Sequence, residues 1–88
     1  MAPVVLRRVE PRYPQLLIKL KTRGAAVVEC IVDRDGQVES VKVVSATHDL
    51  FGQAAAEAVK QWRFRAGTLN GKSVKTIFQL RVTFELTR

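Results

Sequence analysis

The fold is decided by residues 74–86, which read VKTIFQLRVTFEL. Every second position carries a side chain suited to one face, namely Val74, Thr76, Phe78, Leu80, Val82, Phe84 and Leu86. The positions between them are mostly polar, and Ile77 is the apolar outlier. This alternation predicts a long strand with one face on a core and the other in water. No proline interrupts residues 73–88, so the edges of the strand are free to pair.

Two shorter alternating runs precede it, at residues 25–33 and 37–45. The dipeptide Asp35-Gly36 between them is typical of a hairpin turn. The first run places Ala26, Val28, Cys30 and Val32 on one side, and the second points Val41 and Val43 inward. The two runs are therefore predicted to be antiparallel strands.

Two helices complete the pattern. The first spans residues 14–22, with Pro14 in its first turn, Leu17 and Leu20 on one face, and Gly24 at its end. The second begins at Asp49 as the N-cap, and Arg63 and Arg65 suit the negative pole at its end. Its core stripe comprises Phe51, Ala55, Ala58, Val59 and Trp62. Asn70-Gly71 then marks a turn.

The order α-β-β-α-β predicts an α+β fold with a three-stranded antiparallel or mixed sheet. A right-handed crossover places the third strand beside the first, which gives the sheet order 2-1-3 with both helices packed on one face. The third strand then lies at an edge, and its length predicts an overhang beyond its neighbour. Such an edge offers unpaired main-chain groups to another strand.

Composition bounds the remaining choices. A chain of 88 residues with 47% hydrophobic and 26% charged residues is expected to fold as one small domain. We predict a flexible lead-in at residues 1–8 and the domain at residues 9–88. The net charge of +7 is concentrated at both ends, around an acidic middle, which favours an acidic partner or a polyanionic surface. No apolar run reaches the roughly 20 residues of a membrane span.

The residues show little sign of catalysis. Ser45, His48 and Asp49 share one short loop, where three side chains rarely converge on a common atom. The lone Cys30 lies on the inward face of a strand and is expected to be a small buried hydrophobe. We therefore predict that the protein is not an enzyme.

Ligand sites of other kinds are also disfavoured. Asp33 and Asp35 flank a turn but lack the further ligands of a calcium site. With one histidine and one cysteine, no metal or cofactor is expected. The basic composition alone would also suit a nucleic-acid-binding domain. Such a domain presents aromatic residues on an exposed sheet face, whereas Phe78 and Phe84 of this chain share the core face with Leu80. No nucleic-acid partner is therefore predicted.

One set of residues is informative through its order and spacing: Tyr13-Pro14, Gly24, Asp35-Gly36-x-Val38, Ser45-Ala46, Phe51, Trp62-Arg63-Phe64 and Gly67. With this set the chain resembles TonB C-terminal domains over roughly residues 9–86. The resemblance implies structural roles for Pro14, Gly24, Asp35, Gly36, Phe51, Trp62, Arg63, Phe64 and Gly67.

The resemblance also implies a function. Such domains are periplasmic parts of proteins anchored in the inner membrane of Gram-negative bacteria. They grip the TonB box, a short extended segment of an outer-membrane transporter, and couple proton-motive force to uptake of a siderophore, haem or similar nutrient. The motor proteins ExbB and ExbD would act through an N-terminal region outside this sequence. The implied transporter contacts are Val9, Glu10, Pro11, Arg12, Tyr13, Val74, Lys75, Thr76, Ile77, Phe78, Gln79, Leu80, Arg81, Val82, Thr83 and Phe84.

Two alternatives stay open at this point. The chain could be an adaptor of the same fold that binds peptidoglycan or another envelope protein without driving transport. A homodimer is also compatible with the sequence, through the long last strand, with Leu16 and Ile18 adding apolar surface.

Overall fold

The computed structural model of the chain describes residues 1–86, so the last two residues of the predicted domain, 87 and 88, lie outside the described part. In chain order the elements are β1 (Val4–Arg7), α1 (Gln15–Lys19), β2 (Gly24–Val32), β3 (Val38–Ala46), α2 (Asp49–Val59), β4 (Arg63–Arg65), β5 (Gly67–Leu69), β6 (Lys72–Val74) and β7 (Thr76–Phe84). The α+β class is confirmed. Neither helix in this range is long and apolar enough to cross a lipid bilayer.

The main sheet has the order β3-β2-β7, with both strand pairs antiparallel. This is the predicted order 2-1-3. β2 and β7 are each nine residues long and pair without a register shift, from Gly24 opposite Phe84 to Val32 opposite Thr76. The predicted overhang of the last strand is therefore wrong. Val74 belongs to β6 instead, because it pairs with Gly67 in a separate hairpin.

The core lies between this sheet and both helices. On β2 the inward residues are at most 1% exposed, as the alternation predicted: Ala26, Val28, Cys30 and Val32. The predicted α2 stripe is also buried, with Phe51, Ala55, Ala58 and Val59 in the helix, whereas Trp62 is buried but lies beyond the helix end at Val59. Leu17 of α1 joins the same cluster. On β3, Val41 packs against the core, and Val43 faces Gly52 of α2 as predicted, although it remains 41% exposed.

The end of α1 differs from the prediction. Leu20 is 62% exposed, and the chain leaves the helix through Lys21, whose φ is 52°. The Thr22 amide donates to the Leu17 carbonyl at 2.9 Å and the Lys21 amide to Ile18 at 3.0 Å, the two bonds of a Schellman motif. A lysine therefore takes the position expected for Gly24, and the glycine begins β2 instead.

The start and end of α2 also differ from the prediction. His48 is the N-cap, because its Nδ1 accepts a hydrogen bond from the Leu50 amide at 3.0 Å, and Asp49 is the first helical residue. Asp49 still lies at the positive end of the helix dipole. The helix ends at Val59, so Arg63 and Arg65 lie in β4 and not in its last turn.

Four short strands escaped prediction. β1 pairs with β4 in an antiparallel ribbon, and β5 pairs with β6 around Asn70-Gly71. Asn70 and Gly71 have φ values of 53° and 81°, which confirms the predicted turn as a two-residue hairpin loop. β1 lies within residues 1–8, so the lead-in contains a strand, and its flexibility stays a prediction.

The predicted hairpin at Asp35-Gly36 is confirmed. One carboxylate oxygen of Asp33 accepts hydrogen bonds from the amides of Asp35 and Gln37, each at 2.9 Å. Gly36 has a φ of 85°, and its carbonyl accepts from the Phe64 amide at 2.8 Å. Main-chain hydrogen bonds and the positive φ of Gly36 thus stabilise the turn, and the bond from Phe64 also holds β4 against the hairpin.

Candidate strand-addition edge

The outer side of β7 is unpaired within residues 1–86, where this strand pairs with β2 alone. Successive residues of a strand direct their main-chain groups to opposite sides. Of the nine residues of β7, four or five therefore direct an N–H and a C=O away from β2. These groups form a continuous row that a further strand can use.

The opposite edge of the sheet, β3, is irregular. Its pairing with β2 shifts register between Val27 and Val28 and again between Ile31 and Val32. The residues skipped on β3 are Val44 and Glu39, so each shift is a bulge on the edge strand. Bulges twist an edge and discourage further pairing. The regular ladder makes β7 the better template of the two.

The side chains of β7 reinforce this difference. On its core face, Val82 and Phe84 are buried, while Phe78 and Leu80 are half-buried and pack against the core. Ile77 on the opposite face is 61% exposed, as the sequence indicated. A strand added along β7 would cover the half-buried pair and gain apolar contact in addition to hydrogen bonds.

The second predicted contact segment, residues 9–13, is tied to the core at both ends. At its start, the Trp62 indole N–H donates to the Val9 carbonyl at 2.8 Å. Trp62 itself is 5% exposed, and the Arg8 guanidinium lies 5.3 Å from its ring centre. Trp62 therefore fixes where the chain enters the domain.

At its other end the segment is held by Tyr13. The tyrosine ring meets Phe51 and Phe84 edge-on, each at 5.6 Å between ring centres, and those two rings stack at 4.5 Å. The Tyr13 hydroxyl donates to the Thr22 carbonyl after α1. Because Phe84 ends β7, Tyr13 joins the contact segment to that strand.

Rings also link the start of the segment to β7. The centres of Trp62 and Phe64 are 6.2 Å apart, and Phe64 meets Phe78 edge-on at 5.3 Å. The structure thus ties residues 9–13 and 76–84 to one aromatic core. Of the contacts predicted on the last strand, residues 74–84, two lie outside β7: Val74 is in β6, and Lys75 follows it and forms an ion pair with Glu39 at 3.0 Å.

A groove of about 830 Å³ runs between the contact segment and α2. Its lining includes Val9, Arg12 and Pro14 on one side and Leu50 and Ala54 on the other. Sequence reasoning missed this feature because the groove depends on how the irregular segment crosses the helix.

The candidate chemical residues serve the fold. His48 caps α2 and Asp33 shapes the hairpin turn, as described above. Burial, with a smaller effect of the Glu29 carboxylate, raises the pKa of the Cys30 thiol to about 11. The thiol is therefore protonated and unreactive at neutral pH. Among residues 1–86 there is no cluster of three His, Cys, Asp or Glu side chains that could hold a metal ion.

The motif glycines sit where a side chain has no room. A Cβ on Gly24 would lie 2.7 Å from the Phe51 ring, and one on Gly36 would collide with the Phe64 carbonyl. On Gly67 it would lie 3.1 Å from the Met1 carbonyl. Like Phe51, Trp62 and Phe64, these positions shape the core and hold the short strands in place.

Comparison with known proteins places the chain beside one family. The family described as Gram-negative bacterial TonB protein C-terminal matches residues 9–86. Protein TonB of Vibrio cholerae is 31% identical over 84 residues, covering 94% of this chain and 34% of that protein. Protein TonB of Escherichia coli K12 is 30% identical over 86 residues, covering 96% of this chain and 36% of that protein. The chain thus spans about a third of the length of these relatives.

A solved structure has the same fold. The solution NMR structure of the Pseudomonas aeruginosa TonB C-terminal domain superposes with a TM-score of 0.81 at 22% sequence identity. The superposition covers 98% of this chain and 88% of that one.

Proposed function

Because the chain belongs to the family of Gram-negative TonB C-terminal domains, we propose that it is the periplasmic, partner-binding end of an energy transducer. In this proposal the domain pairs β7 with the TonB box of an outer-membrane transporter. The rest of the protein, outside this sequence, anchors the domain in the inner membrane and connects it to the proton-driven motor. The domain itself performs no catalysis.

One observation carries the proposal: β7 is a regular, unpaired edge, whereas β3 is bulged. Main-chain pairing supplies affinity with little dependence on sequence, and the half-buried Phe78 and Leu80 supply selection for apolar side chains. Residues 9–13 provide a second contact surface tied to the same core.

The expected affinity of β7 for the transporter segment is modest. About four to six hydrogen bonds at roughly 0.5–1.5 kcal/mol each would be formed. The cost of association consumes much of that gain, so binding should be reversible and weak. The bonds would nevertheless resist a brief pull along the strand, because such a pull loads all of them together.

Strand addition is tested by disulfide trapping at two equivalent positions. Gln79 on β7 and Lys42 on β3 are both exposed and both lie directly opposite Glu29, on its two sides. In a Cys30→Ala background, Gln79→Cys and Lys42→Cys are each mixed with TonB-box peptides carrying one cysteine at successive positions. A strand beside β7 brings a peptide Cα within the roughly 4.4–6.8 Å that a disulfide requires. The same peptide would be about 14 Å from β3.

We expect trapping with Gln79→Cys at one or two peptide positions, and none with Lys42→Cys. An NMR titration of the unmodified domain should shift amides of residues 76–84 most, with smaller shifts in residues 10–13. Equal trapping at both positions, or no amide shifts at millimolar peptide, would overturn the transporter-binding role.

A further inference from the structure

The ribbon of β1 and β4 carries a cluster of arginines on one face. Phe64 points inward, at 3% exposure, so its neighbours Arg63 and Arg65 point outward and are exposed. Arg7 lies directly opposite Arg63, and Val4 lies directly opposite Arg65. Arg7 and Val4 of β1 therefore share the outward face of Arg63 and Arg65. We call Arg7, Arg63 and Arg65 the arginine face. Its strand β1 lies outside the residues that the family comparison matches, 9–86.

This arrangement is unfavourable for the ribbon alone. Like charges placed directly opposite on neighbouring strands destabilise the pairing. Within residues 1–86 the ion pairs join Glu10 to Arg8 at 3.9 Å and Glu39 to Lys75 at 3.0 Å, so neither pair neutralises the arginine face. A local rule broken without compensation inside the fold is typical of a binding surface.

The two opposed arginines also converge on a cavity. An open hollow of about 580 Å³ is lined by Arg7, Val9, Gln61 and Arg63. Guanidinium groups bind phosphate through paired N–H donors, and a multiply charged phosphate matches several arginines better than a single carboxylate does. We propose that the arginine face binds phosphate groups, a function separate from strand addition at β7.

The phosphate could come from a soluble phosphate or from a lipid headgroup. The second source is favoured by apolar side chains beside the arginines, since Val4 is 47% and Leu6 61% exposed. Basic and apolar side chains together suit the surface of an anionic membrane.

The test is a titration of the ¹⁵N-labelled protein with sodium pyrophosphate, and a sedimentation assay with vesicles containing phosphatidylglycerol. Pyrophosphate is expected to shift the amides of residues 4–7 and 63–65 and the Nε–H signals of the three arginines. The triple variant Arg7→Gln, Arg63→Gln and Arg65→Gln should weaken binding by about tenfold or more, because it loses several charge-assisted contacts.

A matched control removes the same charge elsewhere. Lys19→Gln, Arg23→Gln and Arg34→Gln are all exposed positions, and either triple lowers the net charge from +7 to +4. The control should weaken binding by less than about threefold, because only the long-range field changes.

Binding of pyrophosphate at the arginine face supports a soluble phosphate site, and binding of vesicles without pyrophosphate supports a headgroup site. Either result requires loss in the arginine triple and retention in the control. Equal loss in both triples, or no binding to either probe, overturns the proposal. As an independent readout, Arg7→Thr should raise the thermal midpoint while weakening phosphate binding, and a lowered midpoint would contradict the reasoning.

Discussion

Replacement of Trp62 by phenylalanine tests how the contact segment is held. The change removes the 2.8 Å hydrogen bond from the indole N–H to the Val9 carbonyl. Loss of that bond is expected to cost about 1–2 kcal/mol, since the carbonyl is partly buried. The smaller ring also leaves a void at a site that is 5% exposed, for about another 1–2 kcal/mol. The expected total is about 2–4 kcal/mol in the free energy of unfolding.

The control is Arg8→Gln, which removes the cation–π contact and the exposed ion pair with Glu10 and leaves the hydrogen bond intact. Because the Arg8 side chain is 62% exposed, this variant should cost less than about 1 kcal/mol. Both variants are measured by urea denaturation followed by far-UV circular dichroism, since Trp62 is the sole tryptophan and its fluorescence is lost in one of them.

Hydrogen exchange then locates the effect. In Trp62→Phe, amides of β1 and β4 should lose protection, while Tyr13 still holds the end of the segment through its hydroxyl and its ring contacts. The reasoning is refuted if the substitution costs less than about 1 kcal/mol, or if β1 keeps its protection.

Three further predictions follow from the geometry. Gly36 and Gly71 have nearly the same positive φ, yet a Cβ meets the Phe64 carbonyl at the first and open space at the second. Gly36→Ala should therefore lower the free energy of unfolding by about 3 kcal/mol or more, and Gly71→Ala by about 1 kcal/mol; equal losses by chemical denaturation would contradict this. Because the pKa of Cys30 is raised from 9.0 to about 11, stability should fall between pH 9 and pH 11, as the unfolded thiol loses its proton first. The loss should reach about 2–3 kcal/mol and be absent from Cys30→Ala; parallel stability profiles of the two proteins would rule it out. His48→Ser supplies a preferred N-cap and should raise the thermal midpoint by a few degrees. Hydrogen exchange should show the α2 amides still protected, and a lowered midpoint would contradict this prediction.

Side-chain periodicity predicted the elements with large repeating patterns. β2, β7 and the stripe of α2 followed from alternation or helical spacing, because burial of many side chains on one face outweighs local detail. The turns at Asp35-Gly36 and Asn70-Gly71 followed from main-chain requirements that few residues meet.

The errors came from short elements and from the ends of helices, where no repeating pattern is long enough to show. β4, β5 and β6 have three residues each, too few for a period to show. His48 caps α2 although Asp49 is the better capping residue by preference, since the chain turns one residue earlier. Lys21 adopts a positive φ because two Schellman bonds hold it there.

The candidate edge was predicted only in outline. The crossover rule placed β7 at the border of the sheet, but the sequence gave no sign that β3 carries bulges at Val44 and Glu39. A bulge arises from how two strands fit against each other, and neither strand shows it alone. The difference between the regular edge at β7 and the bulged edge at β3 is therefore visible only in the structure.

The bulges on β3 also set the valency of the domain. Because β7 is the single regular edge of the main sheet within residues 1–86, we expect the proposed strand addition to accept one strand at a time. A second copy of the chain that paired through β7 would occupy the place of the transporter segment. Self-association and partner capture would then be competing equilibria, so dilution should raise the apparent affinity for the peptide. The local concentration of the protein would thereby regulate the fraction of domains whose β7 edge is available to bind the transporter segment.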